Sequence, residues 1–247
     1  MPLDLLDPET ARATMLPLHG GVGLLALIGG LGALVSQKGS RAHRLSGRLF
    51  MIGMAGAVLF AVPVLIATGN LFLTGMGAFA AYMSWTGWRL ARQRGAAGGQ
   101  IDQGVSALMI VLGLLFAAFG GLKLAQGAGG LAVVPIAMGL GSAAFARQHL
   151  RWYRAPAADR RPWVAEHLGA AGGGLIAGLT AFGAAAGTNL LPQLPEPLLW
   201  LGPAAVLSPL LMRWGKRVEA EAAAKRTSST SSSSNERGSA AEPPAGP

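Results

Sequence analysis

The sequence contains no cysteine, and this absence excludes several kinds of site at once. Disulfide bonds, thiolate metal ligands, iron–sulfur clusters and a cysteine nucleophile all need that side chain. The sequence also lacks the HExxH, GxSxG and GxxxxGK[ST] motifs. Metalloprotease, serine hydrolase and P-loop nucleotide chemistry therefore have no support from sequence motifs.

Charge is scarce as well, and it is absent from long stretches of the chain. Charged residues make up 13% of the 247 residues and hydrophobic residues 51%, with a mean hydropathy of +0.44. A soluble domain of this length rarely builds a core that could hold so much apolar surface. A bilayer core about 30 Å thick accepts helices of about 20 apolar residues, because a helix satisfies its own backbone hydrogen bonds. We therefore predict an all-α, polytopic transmembrane helix bundle.

The apolar stretches number about seven, and they define the predicted domain organisation. The predicted spans cover residues 16–35, 45–67, 71–90, 105–125, 131–146, 163–188 and 198–214. A short extracytoplasmic segment at residues 1–15 precedes a seven-helix transmembrane domain at residues 16–218. Residues 219–247 are predicted to be a helical extension followed by a disordered, Ser-rich cytoplasmic tail, because this stretch has too little apolar surface to fold.

Lysine and arginine are concentrated in alternate gaps between these spans. Of the 20 Lys and Arg residues, all except Arg12 and Lys123 fall on one predicted side. The positive-inside rule therefore places the N-terminus outside and the C-terminus in the cytoplasm of a bacterial cytoplasmic (inner) membrane. Because the basic residues flank spans instead of forming one stripe, we predict binding to the bilayer and its anionic phospholipid headgroups, and no nucleic-acid binding.

The four histidines are the best lead to a cofactor. His43 precedes the second span, His149 follows the fifth and His167 begins the sixth, so all three are predicted at the cytoplasmic boundary. Imidazoles on different helices at one depth can bind a haem iron or a Zn, Cu or Fe ion. The short loop between the fifth and sixth spans favours adjacency of His149 and His167. The alternative is that these are interfacial histidines bonded to headgroups, loop carbonyls or Glu166, and His19, near the outer boundary, is predicted to be structural.

Arginine clusters border the same boundary. Arg41, Arg44 and Arg48 have three- and four-residue spacing near the start of the second span, where free helix N–H groups favour anions. A second cluster with this spacing ends the fifth span, and Trp163 is an aromatic anchor beside it. Phospholipid headgroups satisfy both clusters, and a dedicated anionic ligand or the propionates of a haem are the alternatives.

The string from His43 to Arg48, HRLSGR, preceded by His19 in a Gly- and Leu-rich first span, resembles an uncharacterised bacterial multi-pass membrane family of the DUF2306 type. The WxxxH string that ends at His167, followed by TAF, LP and WLxP strings, resembles the C-terminal half of that family. The resemblance covers residues 16–214. It implies a bundle of about seven helices, implies no particular reaction, and marks as positions of interest His19, His43, Arg44, Gly47, Arg48 and His167.

The leading functional interpretation is a structural or interaction protein, such as an accessory subunit that contacts a membrane-protein partner. A single haem b or transition-metal site using two of His43, His149 and His167, with Arg44 and Arg48 neutralising anionic groups, is one alternative. A small-solute carrier is another. No catalytic residue is assigned, because Glu166 is the only acidic residue predicted at the edge of a span and adjacent residues on a helix point about 100° apart.

Overall fold

The computed structural model describes residues 7–128, 132–190 and 192–239. Within these ranges the chain forms seven long helices and a short 3-10 helix at Ala157–Asp159, and it contains no strand. The all-α prediction is therefore confirmed. The helices are α1 (Pro8–Val35), α2 (Arg41–Thr68), α3 (Leu71–Gln93), α4 (Gln100–Ala125), α5 (Val133–Arg154), α6 (Trp163–Leu190) and α7 (Glu196–Ser239).

Four of these helices are long and apolar enough to cross a membrane: α1, α2, α4 and the part of α6 up to Gly187. Large apolar side chains also cover the outer surface of the bundle, among them Ile52, Leu59, Leu115 and Val206, which are more than half exposed. Water would solvate such a surface poorly, whereas lipid chains solvate it well. These observations support a membrane protein.

The helix boundaries extend beyond the predicted spans, because polar residues cap and prolong them. Asp7 accepts a hydrogen bond from the Thr10 amide at 2.8 Å and Pro8 begins α1, a combination that favours a helix start. α4 begins five residues before its predicted span and α5 ends eight residues after its own. Asp102 and His149 consequently lie within helices instead of in loops.

Glycine sets the closest approaches between helices. A Cβ on Gly53 of α2 would lie 2.7 Å from the Ala26 nitrogen of α1, and one on Gly139 of α5 would come even closer to the Gly113 carbonyl of α4. α1 packs along α2 in this way, α4 packs along α5, and α6 packs against α3 and α7. Small residues allow such contacts in membrane bundles, where helix backbones touch directly.

The last helix continues well past the bundle. α7 includes the Ser-rich stretch as far as Ser239, so the helical part of the predicted extension is longer than the sequence indicated. The predicted tail beyond residue 239 lies outside the described residues.

Candidate functional site

Two of the histidines meet at one end of the bundle. The ring of His43 on α2 and the ring of His167 on α6 are 6.4 Å apart between centroids, and their planes are inclined at 85°. The Nδ1 atom of His43 lies 3.0 Å from the Ala33 carbonyl, and the Nδ1 atom of His167 lies 2.7 Å from the Gly87 carbonyl. A carbonyl only accepts hydrogen bonds, so each Nδ1 carries the proton and each Nε2 keeps a lone pair when the ring is neutral.

The end of α1 holds His43 in place. The last carbonyl groups of a helix have no partner within the helix, and the last turn of α1 has no basic residue of its own. Lys38 from the following loop donates to the Ala33 carbonyl at 3.0 Å, and His43 donates to the same oxygen. The hydrogen bond that His43 donates to this free carbonyl therefore orients the His43 ring.

A glycine on α3 holds His167 in place. A Cβ on Gly87 would lie 2.8 Å from the Ala171 nitrogen of α6, so the two backbones are nearly in contact at this level. His167 lies one helical turn before Ala171. Because the α3 and α6 backbones are so close here, its ring can reach the Gly87 carbonyl. Trp163 packs beside His167 with its ring centroid 6.3 Å away.

Lys38 connects the pair to the last helix. Its ammonium group lies 4.9 Å from the ring centroid of Trp214 on α7, a cation–π contact. Partial desolvation lowers the pKa of Lys38, although much of the side chain remains exposed. Arg44 and Arg48 are exposed, and Arg44 donates to the Gly39 carbonyl at the start of α2.

His149 belongs to a different cluster, which we call the buried polar network. His149 is 2% exposed, its Nδ1 lies 2.8 Å from the Tyr82 hydroxyl, and its Nε2 lies 3.9 Å from Glu166. The Ser106 hydroxyl lies 3.3 Å from the Tyr82 hydroxyl and donates to the Asp102 carbonyl. A neutral His149 satisfies this geometry when Tyr82 donates to Nδ1 and the Nε2–H faces the Glu166 carboxylate. His149 therefore has partners on both sides of its ring.

Glu166 links this network to the exposed loop before α6. The carboxylate is 1% exposed and accepts from Arg161 at 2.8 Å and from Gln148 at 3.0 Å. Arg161 also binds Glu219 on α7. Desolvation opposes the charge on Arg161, but its hydrogen bonds and the two carboxylates prevail and raise its pKa. The buried carboxylate is thus neutralised by an arginine that is half exposed.

Asp102 is a buried acid that the predicted spans did not include. It is 2% exposed and accepts from Arg89 at 2.6 Å and 2.8 Å, from Gln93 at 2.6 Å and from the Gly99 amide at 2.9 Å. This bidentate ion pair joins the end of α3 to the start of α4. The sequence signal that could have revealed this ion pair is a single acidic residue shortly after the Gly-rich stretch at residues 95–99, with several arginines shortly before it.

The structure thus brings together some of the predicted site residues and separates others. His43 and His167 meet, whereas His149 contacts Tyr82 and faces Glu166. The main neighbours of α6 are α3 and α7 instead of α5. The end of α5 contacts only the first turns of α6, where Gln148 and His149 meet Glu166 and where Trp152 packs with Ala170. At the other end of the bundle, the Nδ1 of His19 bonds the Ala57 carbonyl of α2 at 2.8 Å.

The spacing of the pair is close to that of two imidazoles that share one metal ion. With each ring nitrogen about 2 Å from the metal, the ring centroids would be about 5–6 Å apart, and those of His43 and His167 are 6.4 Å apart. Within the described ranges, no group of three or more His, Asp or Glu side chains could hold a metal ion. Haem iron needs only two protein ligands, because the porphyrin supplies the other four, whereas a bare ion needs more.

The chain matches no protein-family model, no curated protein and no solved structure.

Proposed function

We propose that this protein is a seven-span protein of the bacterial cytoplasmic membrane that binds one haem b between His43 and His167. The observation that carries the proposal is the pair itself, whose rings come from two helices, lie 6.4 Å apart and each use Nδ1 for a backbone carbonyl. Histidine ligands of metals almost always have their second nitrogen bonded in this way, which fixes the tautomer and the ring orientation. Haem b would supply one-electron redox chemistry at this position.

The seven-span arrangement is part of the proposal. The less apolar helices α3 and α5 each pack against at least one of the four apolar helices, and α7 packs against α6. Helices of 22 or 23 residues are about 33 Å long, which is enough to cross the hydrocarbon core. The basic gaps put the N-terminus outside and the C-terminus in the cytoplasm, as in the predicted topology.

Topology can be mapped with single cysteines, because the chain has none of its own. Leu71→Cys and Ala96→Cys lie at the two ends of α3, and both positions are exposed. In intact cells we expect a membrane-impermeant thiol reagent to label Cys at position 71 and to leave position 96 unlabelled until the cells are opened. Labelling of both positions from the same side would contradict a spanning α3.

The haem site is tested by colour and by metal content. The protein should be purified in detergent from haem- and metal-replete cells, and its visible spectrum and iron content measured. We expect a reduced b-type spectrum with one haem per chain. His167→Asn keeps a short amide donor for the Gly87 carbonyl and removes the Nε2 ligand, so it should fold and lose the haem.

His19→Asn is the matched control, because His19 makes the same kind of bond to a carbonyl at the other end of the bundle. It should keep the wild-type spectrum. A colourless wild-type protein without a transition metal would overturn the proposal and leave the structural or accessory role. A colourless protein that holds one transition-metal ion per chain would also overturn haem binding and would favour the transition-metal alternative.

The carrier alternative has less support. A groove lies between α3 and α4 on the surface of the bundle, and apolar side chains line it. It is therefore not a polar path through the bundle. A carrier for a polar solute needs polar groups along its path through the membrane. Membership of the family that the HRLSGR string resembles stays a prediction.

A further inference from the structure

A groove of about 460 Å³ separates α3 from α4 on the outer surface of the bundle. Ala78, Ala81 and Trp85 line it from α3, and Ile101, Leu108 and Leu112 line it from α4. The α4 side chains are exposed, Ile101 to 67% and Leu108 to 57%. The groove is therefore an apolar surface at the position where the bundle would meet lipid chains.

Contacts between α3 and α4 close the groove at both of its ends. The Phe72 and Phe116 rings meet 6.1 Å apart at one end, where Gly75 also faces Phe116. Arg89 and Asp102 join the helices at the other end. The groove runs along α4 from Ile101 to Leu112, which at 1.5 Å per residue is about 17 Å. This length is close to half of the hydrocarbon core, or one leaflet.

Positive charge and indole rings lie at one end of the groove only. Trp88 and Arg92 continue the groove face of α3 beyond Trp85 at three- and four-residue spacing. Arg92 is exposed, and its guanidinium group lies 5.0 Å from the Trp88 ring centroid. On the α4 side, Arg154 of α5 donates to Gln103 at 3.2 Å. Guanidinium groups beside interfacial tryptophans suit a phosphate at the level of lipid headgroups.

We propose that this groove binds an anionic phospholipid of the cytoplasmic leaflet, with one acyl chain along Ala81 and Leu108 and the phosphate at Arg92. A partner helix is a poorer fit, because it would need an open face through the whole membrane, and the Phe72–Phe116 contact closes this one halfway. The proposal rests on the seven-span arrangement, since α3 must lie in the membrane. It does not depend on haem binding.

The test measures lipid that stays with the purified protein. The full chain is extracted in a mild detergent, washed with excess detergent, and offered phosphatidylglycerol or phosphatidylcholine before native mass spectrometry. We expect one phosphatidylglycerol per chain, at an occupancy about tenfold above that of phosphatidylcholine at equal concentration, because phosphatidylglycerol carries the net negative charge that a guanidinium group favours. Higher salt should reduce this preference, because the phosphate contact is electrostatic.

Two variants test the contacts with the acyl chain and with the lipid headgroup separately. Ala81→Phe fills the groove and should lose the bound lipid, whereas Arg92→Gln should keep a lipid but lose the preference for phosphatidylglycerol. Ala55→Phe on the exposed face of α2 and Arg41→Gln are the matched controls and should behave as wild type.

Three results would overturn the proposal: a wild-type protein that retains no lipid, equal occupancy by the two lipids, or an Ala81→Phe variant that binds as wild type. A Leu108→Cys variant that cross-links into a dimer in membranes would also overturn the proposal, because a second copy of the chain would then occupy the groove. Failure of the seven-span arrangement would be seen independently, because the cysteines at positions 71 and 96 would then label from one side.

Discussion

Replacing Gly87 by alanine tests the contact that positions His167. The new Cβ would lie 2.8 Å from the Ala171 nitrogen and 2.9 Å from its Cα, whereas ordinary contacts begin near 3.4 Å. The α3 and α6 backbones would have to separate by about 0.6 Å, and backbone atoms cannot rotate away as a flexible side chain can. Overpacking of this kind costs about 1–3 kcal/mol.

For a chain of this size, 1 kcal/mol corresponds to about 2–4 °C in Tm. Gly87→Ala should therefore lower the Tm by about 2–12 °C and weaken haem retention, because the bond from His167 to the Gly87 carbonyl must lengthen. Gly141→Ala is the control: Gly141 lies inside α5 with no atom within 4 Å of a new Cβ, so alanine should be neutral or stabilise by up to about 1 kcal/mol. Thermal unfolding in detergent and the haem-to-protein ratio are the measurements. Equal Tm and equal haem content for the two variants would refute this account of the helix contact.

Three further substitutions test the buried polar groups by thermal unfolding in detergent. Asp102→Asn weakens the buried hydrogen bonds to Arg89 and Gln93 and should destabilise the protein by about 1–3 kcal/mol, because Arg89 itself is partly exposed to solvent, whereas Asp159→Asn in the exposed 3-10 helix should change little; equal effects would contradict the role of the Asp102 ion pair. Tyr82→Phe removes the hydroxyl bonded to His149 and should cost about 1–3 kcal/mol, and a neutral result would show that the hydroxyl is not a partner. Glu219→Gln should cost less than about 1 kcal/mol and lose its effect in high salt, since its bridge is exposed; an effect that persists in high salt would contradict this.

The helices were largely predictable because hydropathy is a local property of the sequence. The turn at Gly69 and Asn70 is an example: Gly69 adopts a left-handed conformation with φ of 58°, and the Asn70 side chain caps α3 by accepting from the Leu73 amide at 3.0 Å. Both roles follow from the residue types alone. The placement of His43 and His167 near helix starts was predictable in the same way.

The identity of the histidine pair was not predictable, because it depends on which helices are neighbours. A short loop suggested that α6 would pack beside α5 and bring His149 to His167. The glycines of α6 instead favour α3 and α7: Gly174 meets Ser84, and Gly183 meets the Leu199 carbonyl. Such contacts depend on backbone proximity in three dimensions, which spacing along one helix does not specify.

The buried polar network was missed for a related reason. Tyr82 lies near the charged end of the third predicted span, a position at which aromatic residues usually act as interfacial anchors. Its burial to 4% exposure depends on α3 being enclosed by other helices, and its bond to His149 depends on α5 continuing as a helix past Ala146. Neither fact can be derived from local composition.

Electron paramagnetic resonance of the oxidised, purified protein tests the central claim most directly, because the signal of ferric haem reports its axial ligands. Two imidazoles on one iron should give a low-spin signal, and ring planes inclined at 85° should make that signal strongly anisotropic. The signal should be lost in His43→Asn and in His167→Asn and kept in His149→Asn. A low-spin signal that survives loss of either His43 or His167, or the absence of any haem signal from the wild-type protein, would contradict the account.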